Sequence, residues 1–127
     1  MKNFLFTLII ALAGFQSFAQ SQSQLNLDAD AAYKKADIQL NKVYRDVLEK
    51  YAKDSKFIDK LKNAQRIWIM FRDAEVDLKY PPHQDYGSAY PMCVSLYLKG
   101  ITEERIEKLK EWLNGGEEGD LCNGSVN

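Results

Sequence analysis

The stretch AQRIWIMFRDAE, residues 64–75, decides the fold because five apolar residues in succession run directly into three charged ones. It lies within a run from Ile58 to Leu78 whose apolar residues recur mostly at spacings of three and four. This periodicity predicts an amphipathic helix. The helix should end near Tyr80, because Pro81 and Pro82 remove backbone donors and disfavour helical angles in the residue before them.

A second periodic run precedes this helix. Between Asp28 and Lys53 the chain has neither Gly nor Pro, and its apolar and aromatic residues again recur at helical spacing. Asp54 and Ser55 then interrupt the pattern with side chains suited to capping a new helix. Two long helices joined by so short a turn run antiparallel.

Two further helices are expected beyond the loop from Tyr80 to Ser88. Ser88 is placed to cap a third helix that ends at Gly100, and Thr102 to cap a fourth that closes at Gly115. The sequence thus predicts an all-α fold, a small four-helix domain built on a long antiparallel helical hairpin.

The N-terminal residues have the features of a secretory signal. Lys2 precedes an apolar run from Phe4 to Phe15, and small residues stand at Ser17 and Ala19. The run is shorter than the roughly 20 residues that a membrane-spanning helix needs. We therefore expect an exported, periplasmic or secreted protein without a membrane anchor. The expected divisions are a signal peptide at 1–19, a polar leader at 20–27, a helical domain at 28–116 and a tail at 117–127.

Charge and cysteine count narrow the classes of partner. Without residues 1–19 the chain would carry 16 basic and 18 acidic residues, because only Lys2 of the 17 basic residues is lost. A balance so near neutrality argues against nucleic acid as the main partner, and against an anionic membrane. Cys93 and Cys122 are an even pair in an exported chain, which favours one disulfide over a redox or metal role.

The register of the predicted hairpin brings polar residues together. If the turn is centred between Asp54 and Ser55, residues that face each other have numbers adding up to about 109. We expect Asp37 and Arg72 to form a partly buried charge pair. Asn41, Tyr44 and Gln65, which face the same side of the hairpin, can complete the hydrogen bonds that a buried pair requires. The facing pairs are Leu48 with Leu61, Tyr44 with Gln65, Asn41 with Trp68, and Asp37 with Arg72. An acid–base site at Asp73 and Glu75 fits poorly, because nothing nearby resembles a nucleophile.

Four pieces of the chain resemble the LprI-type lysozyme inhibitor domain of exported bacterial proteins. They are ADIQLNKVYRDVL at 36–48, AQRIWIMFRDAE at 64–75, GSAYPMC at 87–93 and GITEERIEKL at 100–109. The resemblance implies an exported helical protein that inhibits lysozyme. It also implies structural roles for the motif residues Asp37, Asn41, Tyr44, Gln65, Trp68, Phe71, Arg72, Asp73, Thr102 and Arg105.

The resemblance departs at two cysteines that members typically carry. This chain has Ala31 or Ala32 at one of those places and Val76 at the other. Their joint absence leaves Cys93 and Cys122 to pair with each other.

The loop YPPHQDYG is the best candidate for binding a protein partner. It combines tyrosines, a stiffening proline pair, a histidine and an acid, which is the amphipathic mixture that interfaces favour. Tyr80, His83, Asp85 and Tyr86 are the expected contacts. The alternative is a helix connector whose tyrosines pack inward. A metal site at His83, the single histidine, fits poorly, and we expect no metal, no cofactor and no catalytic residue.

Three classes of function remain. A lysozyme inhibitor acting by protein–protein binding is the leading one. The alternative is a cell-envelope interaction or immunity protein with another partner. An enzyme fits worst, because a glycosidase needs two carboxylates across a cleft and a small helical hairpin offers little room for one. The sequence does not set the oligomeric state.

Overall fold

The computed structural model describes the backbone of residues 2–82 and 84–126 and the side chains of residues 21–82 and 84–126. It contains three α-helices, α1 (Lys2–Lys50), α2 (Ser55–Lys79) and α3 (Tyr90–Asn114). No strand occurs in this described part of the chain, so the predicted all-α class is confirmed. Within the same residues, none of the helices is both long enough and apolar enough to cross a membrane.

The prediction of four helices is wrong, because the third and fourth predicted helices form the single helix α3. Gly100, the expected break, lies inside α3 without the positive φ that ends a helix at glycine. Thr102, the expected cap, is fully buried instead. A glycine inside a helix costs only about 1 kcal/mol relative to alanine. Packing of α3 along α1 outweighs that cost.

The turn between α1 and α2 follows the sequence signals. Asp54 is the N-cap of α2, and its Oδ1 accepts a hydrogen bond from the backbone N–H of Phe57 at 3.0 Å. Helix α2 ends at Lys79, immediately before Tyr80 and the proline pair. Both predictions are confirmed. At the next helix, however, Ala89 rather than Ser88 takes the N-cap position, and it makes no side-chain cap.

Helix α1 continues without a break from the predicted signal segment through the predicted polar leader. Residues 20–27 contain neither glycine nor proline, so nothing in the local sequence stops the helix. The expected divisions at 19 and 27 therefore stay predictions about processing rather than about secondary structure.

Helices α1 and α3 run parallel, and α2 returns antiparallel between their ends. Near the N-terminal end of the pair, Asn26 Nδ2 donates to the Ser88 carbonyl at 3.0 Å. Near the C-terminal end, Lys50 Nζ donates to the Trp112 carbonyl at 2.8 Å, with the same separation of 62 along the chain. The main packing is α1 on α3, and α2 approaches them more loosely.

The hydrophobic core lies between these two parallel helices, with α2 adding one edge. Val47, Ile106 and Leu109 are almost fully buried. Leu61 is the one apolar residue of α2 that joins the buried cluster, and the other members are Leu40 and Val43 of α1. An aromatic group of Tyr51, Phe57 and Trp112 closes the core beside the first turn.

The predicted disulfide is also wrong, because Cys93 and Cys122 are both free. Cys93 lies in the first turn of α3, and the tail leaves the opposite end of that helix. About 20 helical residues separate the two ends, or roughly 30 Å. The tail does not run back over that length, because it folds locally, with Asn123 Nδ2 donating to the Glu117 carbonyl at 2.8 Å. An even number of cysteines therefore does not mean that the two thiols are close enough to pair.

Candidate partner-binding surfaces

Arg105 of α3 occupies the polar contact between α2 and α3. Its Nε donates to Gln65 Oε1 at 3.0 Å, and Gln65 is buried. The guanidinium carbon lies 5.9 Å from the centre of the Trp68 ring. Burial lowers the pKa of Arg105, and the nearby Tyr44 hydroxyl opposes that shift. Arg105 therefore fixes the spacing of α2 and α3, a contact that register counting between α1 and α2 missed.

Arg72 has a different partner from the one expected. Its Nη2 donates to Asp73 Oδ1 at 2.7 Å, while Asp37 Oδ2 accepts from Asn41 Nδ2 at 3.1 Å. Among the ion pairs of the described residues, Asp37 and Arg72 are not joined. Asp73 is the next residue on the same helix, so it reaches Arg72 without any approach between helices.

The charges of Asp37 and Arg72 both influence the pKa of Tyr33. Burial raises the pKa of Tyr33, Arg72 counteracts this, and Asp37 and Asp73 add to it. The guanidinium of Arg72 also lies 5.5 Å from the Trp68 ring centre. Trp68 thus contacts cations from two different helices, Arg72 of α2 and Arg105 of α3.

A groove of about 560 Å³ runs beside Trp68 between α2 and α3. Trp68 and Phe71 form its α2 side, and Ile101 forms the apolar part of its α3 side. The remaining lining residues are charged: Glu104, Arg105, Glu107 and Lys108. The groove therefore offers an apolar floor with polar groups along one edge, which suits an inserted side chain from another protein.

The outward side of α2 continues this apolar surface. We call Ile67, Met70, Phe71 and Leu78 the α2 stripe. All four are exposed, Phe71 by 54% and Leu78 by 75%. Sequence reasoning counted Phe71 and Leu78 toward the core and so missed the stripe. The signal was present, because five consecutive apolar residues cover every side of a helix and only one side packs on the bundle.

The loop after α2 is held by aromatic packing. Tyr80 contacts Tyr86, Tyr90 and Tyr97 with ring centres 5.7 to 6.1 Å apart. The Tyr86 ring stacks on Tyr90 at 5.0 Å, and its hydroxyl donates to the Pro81 carbonyl at 3.3 Å. The tyrosines thus pack against one another and against the start of α3. This packing fits the alternative interpretation, a helix connector whose tyrosines pack inward, better than a loop whose tyrosines are free to contact a partner.

The polar residues of the loop have separate positions. Asp85 is exposed, and its Oδ1 accepts from the backbone N–H of Gly87 at 2.9 Å. His83 lies outside the described residues. Burial raises the pKa of Tyr80 and Tyr86, so both hydroxyls remain donors at neutral pH. The assignment of Tyr80, His83, Asp85 and Tyr86 to partner binding stays a prediction.

Thr102 is the motif residue with the most buried position. Thr102 faces the core, and its Oγ1 has no hydrogen-bond partner among the described residues. In the same part of the chain, no group of three His, Cys, Asp or Glu side chains could hold a metal ion.

The comparisons with known proteins place this chain in a family. Residues 16–109 match the family described as "Lysozyme inhibitor LprI". An uncharacterized protein of Rhizobium meliloti (strain 1021) is 36% identical over 110 residues, which cover 78% of each chain. No solved structure matches the chain. The expected resemblance is confirmed, and the chain belongs to the LprI family of lysozyme inhibitors.

Proposed function

We propose that this protein is an exported lysozyme inhibitor that acts by binding the enzyme. The observation that carries the proposal is the family match, which spans 16–109 and so includes α2 entirely and most of α3. Binding rather than catalysis is supported by the apolar side chains exposed on α2 and by the groove beside them, which combines apolar and charged residues.

Inhibition by binding requires a rigid surface that covers the cleft of the enzyme. The loop from Tyr80 to Ser88 is one candidate, because Tyr80 and Tyr86 are already packed and lose little conformational entropy on binding. In this proposal Asp85 and His83 make polar contacts at the loop edge. The rings of Tyr80 and Tyr86 support the loop, the Tyr80 hydroxyl is the donor, and the Tyr86 hydroxyl holds the loop through its hydrogen bond to the Pro81 carbonyl.

A lytic assay tests the function directly. Increasing amounts of the purified protein, checked for helical content, are added to lysozymes of several classes acting on bacterial cell walls. For the class of lysozyme that the protein binds, we expect lysis to fall in proportion to the protein added until all of the enzyme is bound. Failure against every class would contradict inhibition and leave an envelope or immunity partner, which co-purification from the producing cells would identify.

A pair of matched tyrosine variants tests the loop. Tyr86→Phe keeps the ring stacked on Tyr90 and removes only the hydroxyl. Tyr51→Phe makes the same chemical change at the opposite end of the bundle, where the hydroxyl donates to the Trp112 carbonyl at 3.2 Å. If the loop contacts the enzyme, Tyr86→Phe weakens inhibition and Tyr51→Phe does not. Equal inhibition by the two variants would move the site away from this hydroxyl.

A further inference from the structure

A second cavity lies between α2, the last turns of α3 and the C-terminal tail. Its volume is about 310 Å³, at the lower end of the range for cavities that hold small molecules. Ser125 brings the tail to its edge, and the Asn123 side chain fills the space beside Gly116 at the end of α3. The apolar walls come from both helices: Phe57, Leu61, Ala64 and Trp112.

The charged residues that line this cavity are both cations. They are Lys60 of α2 and Arg105 of α3, and among the described residues no carboxylate lines it. Glu111, on the neighbouring turn of α3, pairs with Lys108 at 2.9 Å instead. The acids of the neighbouring turns and of the tail that do not line the cavity are Asp59, Glu107, Glu111, Glu117, Glu118 and Asp120. The charges next to a molecule in this cavity are therefore positive.

Arg105 has no carboxylate partner in the described part of the chain, although its side chain is half-buried. Its Nε donates to the neutral Gln65 Oε1 at 3.0 Å, and no described residue accepts a hydrogen bond from its two terminal nitrogens. Burial lowers the pKa of Arg105, and only the Tyr44 hydroxyl opposes that shift. Arginine keeps its charge at neutral pH all the same. A guanidinium removed from water in this way is ordinarily stabilised by an anion.

The groove beside Trp68, which Arg105 also lines, is a poorer site for an anion. Glu104 and Glu107 line that groove, so a further negative charge is repelled there. The cavity shares Arg105 with the groove but is lined by neither acid.

The apolar walls narrow the class of ligand. The rings of Phe57 and Trp112 meet edge to face with centres 5.1 Å apart, and Leu61 is 6% exposed. Such walls favour an apolar body, above all a flat ring that can make further edge or stacking contacts. The planar guanidinium of an arginine matches a carboxylate through two parallel hydrogen bonds.

We propose that this cavity binds a small carboxylate with an apolar body, for which hydrocinnamate is a suitable probe. The terminal nitrogens of Arg105 donate to the carboxylate, and Lys60 adds a second positive charge at the edge. The apolar body packs against the walls. The site is separate from the loop at Tyr80 to Ser88, so it stands whether or not the protein inhibits lysozyme.

Calorimetric titration of the folded full chain with three compounds tests the ligand chemistry. Hydrocinnamate carries both the ring and the charge, hydrocinnamamide only the ring, and propanoate only the charge. We expect saturable binding of hydrocinnamate and about tenfold weaker binding of the other two, because the charged hydrogen bonds and the burial of the ring both contribute. Equal binding of the acid and its amide would overturn the role of the cations. Equal binding of propanoate would show an adventitious ion only, and no saturable binding of hydrocinnamate would overturn the site.

A matched pair of lysine variants locates the ligand. Lys60→Gln removes the exposed lysine that lines the cavity, and Lys62→Gln makes the same change at an exposed lysine of α2 that does not line it. We expect Lys60→Gln to weaken hydrocinnamate binding about threefold at low salt and Lys62→Gln to leave it unchanged. Equal effects of the two would show general attraction by the surface charge and overturn the assignment to this cavity.

Two further variants act on the cavity itself. Ala64→Phe fills it from an exposed position of α2, so we expect hydrocinnamate binding to be lost while the circular dichroism stays that of the wild type. Arg105→Gln removes the guanidinium and should weaken binding about tenfold. Because Arg105 also contacts Gln65, the helical content of that variant is checked first. Wild-type affinity in either folded variant would refute the inference, and Ala64→Phe decides alone if Arg105→Gln does not fold.

Discussion

Gly100→Ala should make the protein more stable, because Gly100 lies within α3 rather than at a helix end. Its φ is not positive, and a Cβ added there meets no atom within 4 Å. Alanine is therefore free of strain and clash. It is favoured over glycine inside a helix by up to about 1 kcal/mol. For a domain of this size, that gain raises the melting temperature by about 4 °C.

Gly87→Ala provides the matched control. A Cβ at Gly87 also meets nothing within 4 Å, but this glycine has a φ of +67°. An L side chain in that conformation costs about 1 to 2 kcal/mol. The two variants add the same methyl group to open space, so the opposite signs expected for them isolate the backbone conformation.

Gly100→Pro decides between one helix and two. Inside α3 it should cost about 3 kcal/mol or more, because proline removes a backbone hydrogen bond and clashes with the preceding turn. At a junction between two helices it would be tolerated. Urea denaturation followed by circular dichroism gives the free energy of unfolding for all three variants. A loss below about 1 kcal/mol for Gly100→Pro, or any loss for Gly100→Ala, would refute a continuous α3.

Three other predictions concern the core, the thiols and pH. Ile106→Ala should lower the free energy of unfolding by about 2 to 5 kcal/mol, because Ile106 is 2% exposed, and Ile38→Ala by less than about 0.5 kcal/mol in the same urea assay. In the folded protein Cys122, which is exposed, should react with a thiol reagent faster than half-buried Cys93; an intact mass two hydrogens short would show a disulfide instead. Tyr97 has a pKa raised first by its hydrogen bond to a carboxylate and then by burial, so its stabilising effect is present below pH about 10 and is lost as pH rises through the folded value. The melting temperature of Tyr97→Phe should accordingly fall less steeply above pH about 10 than that of the wild type, and parallel curves would contradict this.

The helix limits set by strong local signals could be predicted from the sequence. Asp54 caps α2 through its own side chain, and the proline pair at Pro81 and Pro82 follows its end. These signals work because they act on the adjacent backbone, whatever the rest of the chain does. Gly100 is a weaker signal, since the cost of glycine within a helix is small enough for packing to override it.

The pairing of helices depended on contacts that local patterns do not contain. Counting back from the turn set Leu48 against Leu61, and Leu61 is a member of the core cluster against which Leu48 packs. It does not reveal that α1 packs chiefly along α3, because no short turn links those two helices and the sequence separation is about 60 residues. Arg105, rather than Arg72, consequently makes the polar contact to Gln65.

The candidate site was predicted only in outline. Aromatic and proline residues singled out the loop as a candidate, but composition does not distinguish tyrosines that pack on each other from tyrosines that face solvent. The ring contacts of Tyr80 and Tyr86 are set by Tyr90 and Tyr97 on the next helix. The disulfide failed for a related reason, because an even count of cysteines carries no information about distance.

The apolar run in RIWIMF partly packs on the bundle and partly stays exposed, because α2 is not needed for most of the core. Val47, Ile106 and Leu109 belong to α1 and α3, so the bundle buries its central apolar surface largely without α2. The inward residue Trp68 contacts the guanidinium of Arg105 on α3, and Phe71 on the next turn stays exposed. A helix fixed on one side by polar and aromatic contacts can keep its other side apolar without unfolding. Phe71 is accordingly 54% exposed although it lies in the same apolar run as Trp68.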